Sequence, residues 1–181
     1  MKIGIILGSI RRESSGESVA RWVVEQAGSR TDATYELIDL KSFDVPLLTS
    51  ATVPGAANKK YDDERVTRWS QAIDSCDAFV FVTPEYNHGV PGGLKNAFDS
   101  LGSEWANKAV AFVSYGADGG VRAVEHWRQI VANFHMYAVR QQVSLNLFLE
   151  FGPDGVQPAE RRGDEIAVLF DQLEAAARRF A

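Results

Sequence analysis

Residues 2–27 read KIGIILGSIRRESSGESVARWVVEQA. The apolar run at residues 3–7 predicts a buried β-strand, and the amphipathic pattern of residues 15–27 predicts a helix. Between them the chain places glycines and small hydroxyl residues beside two arginines, Arg11 and Arg12. This strand, polar loop and helix are the first unit of an alternating α/β pattern.

The same alternation continues along the whole chain. Short runs that are mostly apolar on both faces recur with amphipathic stretches between them, which implies parallel strands joined by right-handed crossovers. Five strands and five helices predict a doubly wound α/β sheet of order 2-1-3-4-5 with helices on both faces. The predicted strands are residues 2–7, 35–40, 78–83, 109–115 and 137–145, and the predicted helices are residues 15–27, 62–75, 92–101, 120–134 and 164–180.

Length and composition narrow the class of protein. With 181 residues the chain is long enough for one well-buried core, so we predict a single domain over residues 1–181. A net charge of −5 offers no basic field for nucleic acid. Cys76 is the only cysteine, which excludes an internal disulfide or a cysteine zinc site. The apolar run 3–7 is too short for a signal peptide and no later run approaches a membrane span, so we expect a cytoplasmic protein with no membrane partner.

The sheet order predicts where a ligand binds. In open sheets of this kind, ligands lie beyond the carboxyl ends of the strands where the strand order reverses, here between the first and third strands. The loops at that edge are residues 8–18, 84–91 and 114–120, and all three are rich in glycine, hydroxyl or aromatic residues.

The first loop has the composition of a phosphate site. Ser9 offers a hydroxyl, Arg11 a forked cation, and a helix that starts near Ser15 offers free amides and the positive end of its dipole. Gly16 removes a side chain close to that position, and Ser18 adds another hydroxyl. The alternative is that Ser14 or Ser15 only caps the helix. No GxxxxGK[ST] or GxGxxG motif is present, so a monophosphate fits better than a triphosphate or a dinucleotide.

The second and third loops suit a planar heterocycle. Pro84, Glu85, Tyr86 and Asn87 follow the third strand and provide amides for hydrogen bonds and an aromatic ring for stacking. The third loop carries Ser114, Tyr115, Gly116 and Gly119, where glycines permit a close approach of the backbone. Taken singly, each loop is also explained as a turn before a helix. His88 has no second ligand at metal spacing, so we expect no metal site.

In these residues the sequence resembles the NADPH-dependent FMN reductase family of flavodoxin-like proteins, which includes quinone, chromate and azo-dye reductases. The resemblance covers roughly residues 3–135. Its most specific motif is PEYN, and it extends over the stretches GSIR at 8–11, VARW at 19–22, TPEYNHGVPGGLKNAFD at 83–99 and FVSYG at 112–116.

The resemblance implies an FMN-dependent oxidoreductase with NADPH or NADH as electron donor. We hypothesise a ping-pong cycle in which a hydride passes to bound FMN and then to a small acceptor such as a quinone, flavin, azo compound or metal oxyanion. The phosphate would lie at Ser9, Arg11 and the helix start, and the isoalloxazine between residues 84–87 and 114–116. A flavodoxin-like electron carrier that does not react with nicotinamides is the alternative.

The resemblance also implies a homodimer or homotetramer in which the partner covers the flavin. Tyr86, Trp105 and the irregular segment 44–60 are then candidate partner contacts. For Trp22 and Trp69 we predict core packing instead.

Overall fold

The computed structural model describes residues 1–180 and has the predicted sheet. Five parallel strands lie in the order β2-β1-β3-β4-β5. The strands are β1 (Lys2–Leu7), β2 (Thr34–Asp39), β3 (Ala78–Pro84), β4 (Ala109–Gly116) and β5 (Tyr137–Asn146), and the helices are α1 (Ser15–Ala27), α2 (Glu64–Asp74), α3 (Gly92–Asp99), α4 (Val121–Val131) and α5 (Arg161–Phe180). The prediction of a doubly wound α/β fold is confirmed.

The two faces of the sheet are covered by different side chains. Helices α1 and α5 pack on one face over a cluster that is mostly valine, alanine, isoleucine and leucine. The other face, under α2, α3 and α4, is aromatic and contains Trp69, Trp105 and Trp127 among several phenylalanines. Strands β3 and β4 are buried along their whole length because they lie at the centre of the sheet.

Two helix starts differ from the prediction by a few residues, and a cap explains the one at α2. Helix α2 begins at Glu64 rather than residue 62, because the Asp63 carboxylate accepts the Arg65 amide and acts as the N-cap. Helix α5 begins at Arg161 rather than residue 164. Asp39 caps the short 3-10 turn that follows β2 by accepting the Lys41 amide at 3.1 Å.

A small antiparallel hairpin between β5 and α5 was not predicted. Strands β6 (Phe151–Gly152) and β7 (Gly155–Val156) have two residues each, too few for any periodicity to be visible in the sequence. A buried ion pair holds the hairpin to α5: the Arg162 guanidinium donates to Glu150 at 2.8 and 2.9 Å. On its other side the Val156 amide donates to the Ser18 hydroxyl of α1 at 3.0 Å.

The tryptophan predictions are confirmed in part. Trp69 is fully buried, and Trp22 is half-buried against the core formed by α1 and α5. The prediction that Trp105 contacts a partner chain is wrong, because the residue is fully buried and its indole N–H donates to the Phe98 carbonyl at 3.0 Å. Its ring stacks on Phe98 with centroids 4.8 Å apart, so it belongs to the aromatic core.

Segment 44–60 is irregular, as predicted, and is fastened at both ends. Near its start the Asn96 side chain donates to the Pro46 carbonyl at 2.8 Å and accepts the Leu48 amide at 3.0 Å. Just beyond its end, the Tyr61 hydroxyl donates to the fully buried Glu104 carboxylate at 2.7 Å. Between these points the segment exposes apolar side chains to the surface.

Candidate functional site

The three predicted loops meet at the carboxyl edge of the sheet. Gly8 donates its amide to the Val82 carbonyl at 3.0 Å, and Glu85 donates its amide to the Tyr115 carbonyl at 3.0 Å. These bonds join the first loop to β3 and the second loop to β4. The Tyr86 hydroxyl then reaches back to the Ser9 hydroxyl, 2.9 Å away. The arrangement brings the first, second and third loops into one crevice.

In the first loop, Ser9 and Arg11 are placed differently. Ser9 is only 2% exposed, and its oxygen lies 3.4 Å from the Arg11 amide. The Arg11 side chain is exposed, with its guanidinium 5.9 Å from the centroid of the Tyr86 ring. A cation in that position rests on the electron-rich face of the ring and keeps its N–H groups available for an anion.

Ser14 and Gly16 form the start of α1. The Ser14 side chain accepts the Gly16 amide at 3.1 Å, so Ser14 is the N-cap and the capping alternative is confirmed for this residue. Ser15 is the first helical residue and is exposed. A Cβ on Gly16 would lie 2.4 Å from the Tyr115 hydroxyl, which leaves no room for a side chain. The Tyr115 hydroxyl therefore fills the space beside the helix start that a side chain at position 16 would need.

Two residues predicted to bind the cofactor, Ser18 and Ser114, have hydroxyl groups with partners inside the fold. Ser18 donates to the Ser15 carbonyl at 2.8 Å and accepts the Val156 amide, so it ties α1 to the β6–β7 hairpin. Ser114 is fully buried and donates to the Gly119 carbonyl at 2.7 Å. Each hydroxyl donates its only proton to a backbone carbonyl of the fold. That Ser18 and Ser114 bind the cofactor stays a prediction, in which either hydroxyl would meet a ligand only as an acceptor.

The second loop is a tight hairpin turn. Tyr86 and Gly89 exchange both backbone hydrogen bonds at 3.1 Å, and the two residues between them, Asn87 and His88, have φ angles of 48° and 73°. Positive φ at both central positions is the geometry of a type I′ turn. Pro84 is buried at the end of β3, whereas the Asn87 and His88 side chains are exposed at the tip.

The third loop depends on glycines for its conformation. Gly119 and Gly120 have φ angles of 75° and 74°. A Cβ on Gly120 would lie 2.9 Å from the Ser114 Cβ and 3.0 Å from the backbone of Tyr115. At Gly116 a Cβ would lie 3.3 Å from the Glu85 Cβ, which shows how closely the second and third loops pack.

An ion pair that the sequence did not reveal joins the second loop to the first turn of α4, directly after the third loop. Glu85 accepts the Arg122 amide at 3.1 Å and the Arg122 guanidinium at 2.9 Å. Arg122 also pairs with Asp118 at 2.8 Å. The hydrogen bond to Glu85 is the main reason that the pKa of Arg122 is raised. Because Glu85 and Arg122 are 37 positions apart, only the folded sheet brings them together.

Tyr115 links the ends of the crevice. Its backbone belongs to β4, but its side chain runs toward α1, and its hydroxyl lies 3.4 Å from the Ser14 hydroxyl. The side chain is 5% exposed, and this burial raises its pKa to about 12. The sequence predicted only that the Tyr115 amide would meet a ring, so the position of its hydroxyl is a finding of the structure.

The donor set of the crevice fits a flavin mononucleotide. A phosphate monoester needs hydrogen-bond donors and positive charge, which the first loop provides through Arg11, the Ser9 hydroxyl and the start of α1. We refer to this part as the phosphate end. The Tyr86–Gly89 turn and residues 116–120, where backbone and glycines dominate, form the ring end. Within residues 1–180, no group of three His, Cys, Asp or Glu side chains could hold a metal, and no helix could span a membrane.

A sheet of order 2-1-3-4-5 with a phosphate-type loop after its first strand defines the class of flavodoxin-like proteins. The family model described as NADPH-dependent FMN reductase matches residues 1–150. The chain therefore belongs to the NADPH-dependent FMN reductase family, which confirms the resemblance seen in its motifs.

Curated relatives agree with this assignment. The NAD(P)H-dependent FMN reductase ntnL from Nectria sp is 42% identical over 126 residues, which are 67% of this chain and 63% of that protein. A quinone reductase from Pseudomonas putida is 38% identical over 138 residues, which are 70% of this chain and 67% of that protein. The chain thus spans less than two thirds of the length of the first relative and about two thirds of the second.

Among solved structures, the chain is similar to the flavoenzyme FerB, an NAD(P)H:(acceptor) oxidoreductase from Paracoccus denitrificans. The two align with a TM-score of 0.79 over 99% of this chain and 98% of that chain, at 19% identity. This similarity extends through α5, beyond the part of the chain that the family model matches. It supports the flavodoxin-like fold for residues 1–180.

Proposed function

We propose that residues 1–181 form one flavodoxin-like domain that acts as an NAD(P)H-dependent oxidoreductase and holds FMN in the crevice between the three loops. FMN as the flavin and NAD(P)H as the donor follow from family membership. The observation that carries the placement is the 2.9 Å contact between Tyr86 and Ser9, which joins the phosphate end to the ring end.

At the phosphate end, the side chains would hold the charged group of the cofactor. Arg11 supplies a forked cation and Ser9 a buried hydroxyl. The Gly16 and Glu17 amides are already bonded to Ser14, so the start of α1 would contribute mainly the positive end of its dipole. Gly16 leaves room beside the helix start for the Tyr115 hydroxyl. Arg11 also lies against the Tyr86 ring, so a substitution in the first loop would alter a contact of the second loop.

At the ring end, the backbone would hold the edge of the flavin. The Tyr86 and Gly89 amides close the turn and the Gly119 amide bonds to the Gly116 carbonyl, so these loops form a rigid backbone frame. The N–H groups that the frame does not use internally would donate to the flavin, and preorganised donors of this kind stabilise negative charge at low reorganisation cost. When bound, FMN supplies the redox chemistry, namely the acceptance of a hydride from NAD(P)H and its transfer to a small acceptor. The protein contributes binding, orientation and donors, and requires no side-chain acid.

A quinone is the acceptor that the relatives favour, since the Pseudomonas putida protein is named a quinone reductase. We propose a ping-pong cycle in which donor and acceptor occupy the same position over the flavin in turn. Initial rates measured with NADPH and a benzoquinone at several fixed concentrations should then give parallel double-reciprocal lines. Intersecting lines would contradict the shared position.

The decisive experiment is an absorption spectrum of the purified protein with FMN, followed by anaerobic addition of NADPH and, separately, NADH. A bound-flavin spectrum that bleaches within the mixing time supports the reductase. Bound flavin that neither nucleotide bleaches would support the alternative, a flavodoxin-like electron carrier. Absence of flavin binding would contradict both functions.

We also propose that two or four copies of the chain associate around the flavin. Segment 44–60 exposes Leu47 and Val53 at 78% and 70%, and Ile10 in the first loop is 52% exposed. Exposed apolar side chains grouped beside a binding crevice are typical of a protein contact. Light scattering should therefore give a dimer or tetramer mass for the wild type and a smaller mass for Leu47→Lys. A monomeric wild type would contradict the proposal.

A further inference from the structure

The Tyr115 side chain lies on the inner side of the first loop. It leaves β4 on the face covered by α1 and α5, where its ring lies 6.2 Å from Phe151, and its hydroxyl ends at the start of α1. Gly16 and Tyr115 share this space, because the hydroxyl occupies the place where a side chain at position 16 would begin. The helix start therefore receives its polar group from β4 rather than from its own residue 16.

The Tyr115 hydroxyl is well suited to donate a hydrogen bond in this position. Its contact with Ser14 is long, 3.4 Å, whereas an O–H···O bond is normally about 2.7–2.8 Å. The Ser14 oxygen already accepts the Gly16 amide at 3.1 Å. With a pKa of about 12, the hydroxyl keeps its proton at any working pH. Either hydroxyl could be the donor of the long Ser14 contact, so in both cases the Tyr115 proton is at most weakly bonded and is available to a stronger, anionic acceptor.

We propose that the Tyr115 hydroxyl donates a hydrogen bond to the phosphate of FMN, and that it thereby helps the protein to select FMN over riboflavin. The inference rests on the proposed function, since it takes the phosphate to lie at the first loop. It gives Tyr115 a role at the phosphate end, although its backbone belongs to the strand that leads to the ring end.

The test is the affinity of Tyr115→Phe for FMN and for riboflavin, measured by quenching of flavin fluorescence. The substitution removes only the hydroxyl and keeps the ring in its packing. A hydrogen bond to a charged group is strong enough that FMN should bind roughly tenfold to a hundredfold more weakly. Riboflavin affinity should change less than about twofold, because riboflavin lacks the phosphate.

Tyr35→Phe is the matched control. It also removes a hydrogen-bonded tyrosine hydroxyl, the one that donates to Glu174 at 2.7 Å, but on β2 and away from the first loop. The FMN-to-riboflavin affinity ratio should stay at the wild-type value in this variant. Equal weakening of both flavins in Tyr115→Phe would show a structural role and overturn the inference, as would unchanged FMN affinity.

Gly16→Ala provides a second, independent measurement. Its methyl group would meet the Tyr115 hydroxyl at 2.4 Å, so the variant should bind FMN more weakly, and less so when the hydroxyl is removed by Tyr115→Phe. The steric clash alone would couple the two substitutions for both flavins, so the proposed contact requires coupling in FMN affinity and additive effects on riboflavin affinity; equal coupling for both flavins would contradict it. If wild-type protein binds FMN no better than riboflavin, the phosphate assignment itself fails. If wild type prefers FMN and Tyr115→Phe retains that preference, only the role of the hydroxyl fails.

Discussion

At the phosphate end of the crevice the groups that we propose to face the cofactor are side chains, whereas at the ring end they are mostly backbone. Ser9, Arg11 and the Tyr115 hydroxyl are held by contacts between loops, and each could be removed without a change in backbone path. The ring end consists of a turn and a loop whose φ angles are positive at Asn87, His88, Gly119 and Gly120.

The difference predicts two kinds of response to substitution. Loss of a side chain at the phosphate end should weaken binding of phosphorylated flavin and leave stability nearly unchanged. Addition of a side chain at the ring end should disturb the backbone and lower the free energy of unfolding first. The comparison fails if a substitution at the phosphate end mainly lowers stability, or if an added side chain at the ring end weakens flavin binding and leaves stability unchanged.

The largest effect is expected for Gly120→Ala at the ring end. The left-handed conformation at φ 74° costs an alanine about 1–2 kcal/mol, and the new Cβ meets backbone that cannot yield. We therefore expect a loss of about 3 kcal/mol in the free energy of unfolding, measured by urea denaturation.

Gly92→Ala is the control for that substitution. Gly92 is the first residue of α3 and has no positive φ, and a Cβ added to it would meet no atom within 4 Å. This variant should equal the wild type or exceed its stability by up to about 1 kcal/mol. Equal stability of the Gly120→Ala and Gly92→Ala variants would show that the third loop does not need its glycine conformation.

Arg11→Ala should give the next largest effect, on binding rather than on stability. Loss of a charge-assisted contact should weaken FMN binding by roughly tenfold to a hundredfold, with riboflavin affinity nearly unchanged. Because Arg11 is exposed, the urea midpoint should stay at the wild-type value. Arg12→Ala, the exposed neighbour, serves as control. If Arg11→Ala binds FMN as tightly as the wild type, the assignment of the phosphate to the first loop is wrong.

How much of these two ends the sequence predicts depends on how far apart the interacting residues lie along the chain. Local patterns located all five strands and the three loops, because apolar runs and glycine clusters are continuous in the chain. The sequence alone did not identify three contacts between segments that are far apart in the chain, namely Ser9–Tyr86, Ser14–Tyr115 and Glu85–Arg122. For the same reason the sequence did not show that Ser18 and Ser114 were already bonded within the fold.

Burial was equally hard to infer for single residues. An aromatic residue in a loop suits a partner contact or a core, and Trp105 proved to be core because three helices pack around its side of the sheet. The two-residue strands β6 and β7 were invisible because their stability comes from Ser18 and the Arg162–Glu150 pair. Tertiary partners, rather than local preference, decide such elements.

Glu85→Gln tests the link between the two loops of the ring end and should have a smaller effect. The substitution removes the charge that pairs with Arg122 but keeps the shape of the side chain. Since a partly exposed ion pair contributes little, FMN and riboflavin should both bind roughly threefold more weakly, and the difference from wild type should shrink in about 1 M salt. If Glu85→Gln weakened FMN binding and left riboflavin affinity unchanged, Glu85 would act on the phosphate, which contradicts its assignment to the ring end.

Asn87→Gly should have the smallest effect and gives the sharpest test of a backbone-built ring end. Glycine adopts the observed φ of 48° without strain, so the turn should persist, and stability should stay within about 0.5 kcal/mol of wild type. FMN affinity should change less than about twofold if backbone donors hold the ring. Asn87→Val is the opposing control, since a β-branched residue resists positive φ and should destabilise the turn. A tenfold loss of FMN affinity in Asn87→Gly with the turn intact would instead show that the Asn87 amide contacts the ring, and the ring end would then depend on a side chain as the phosphate end does.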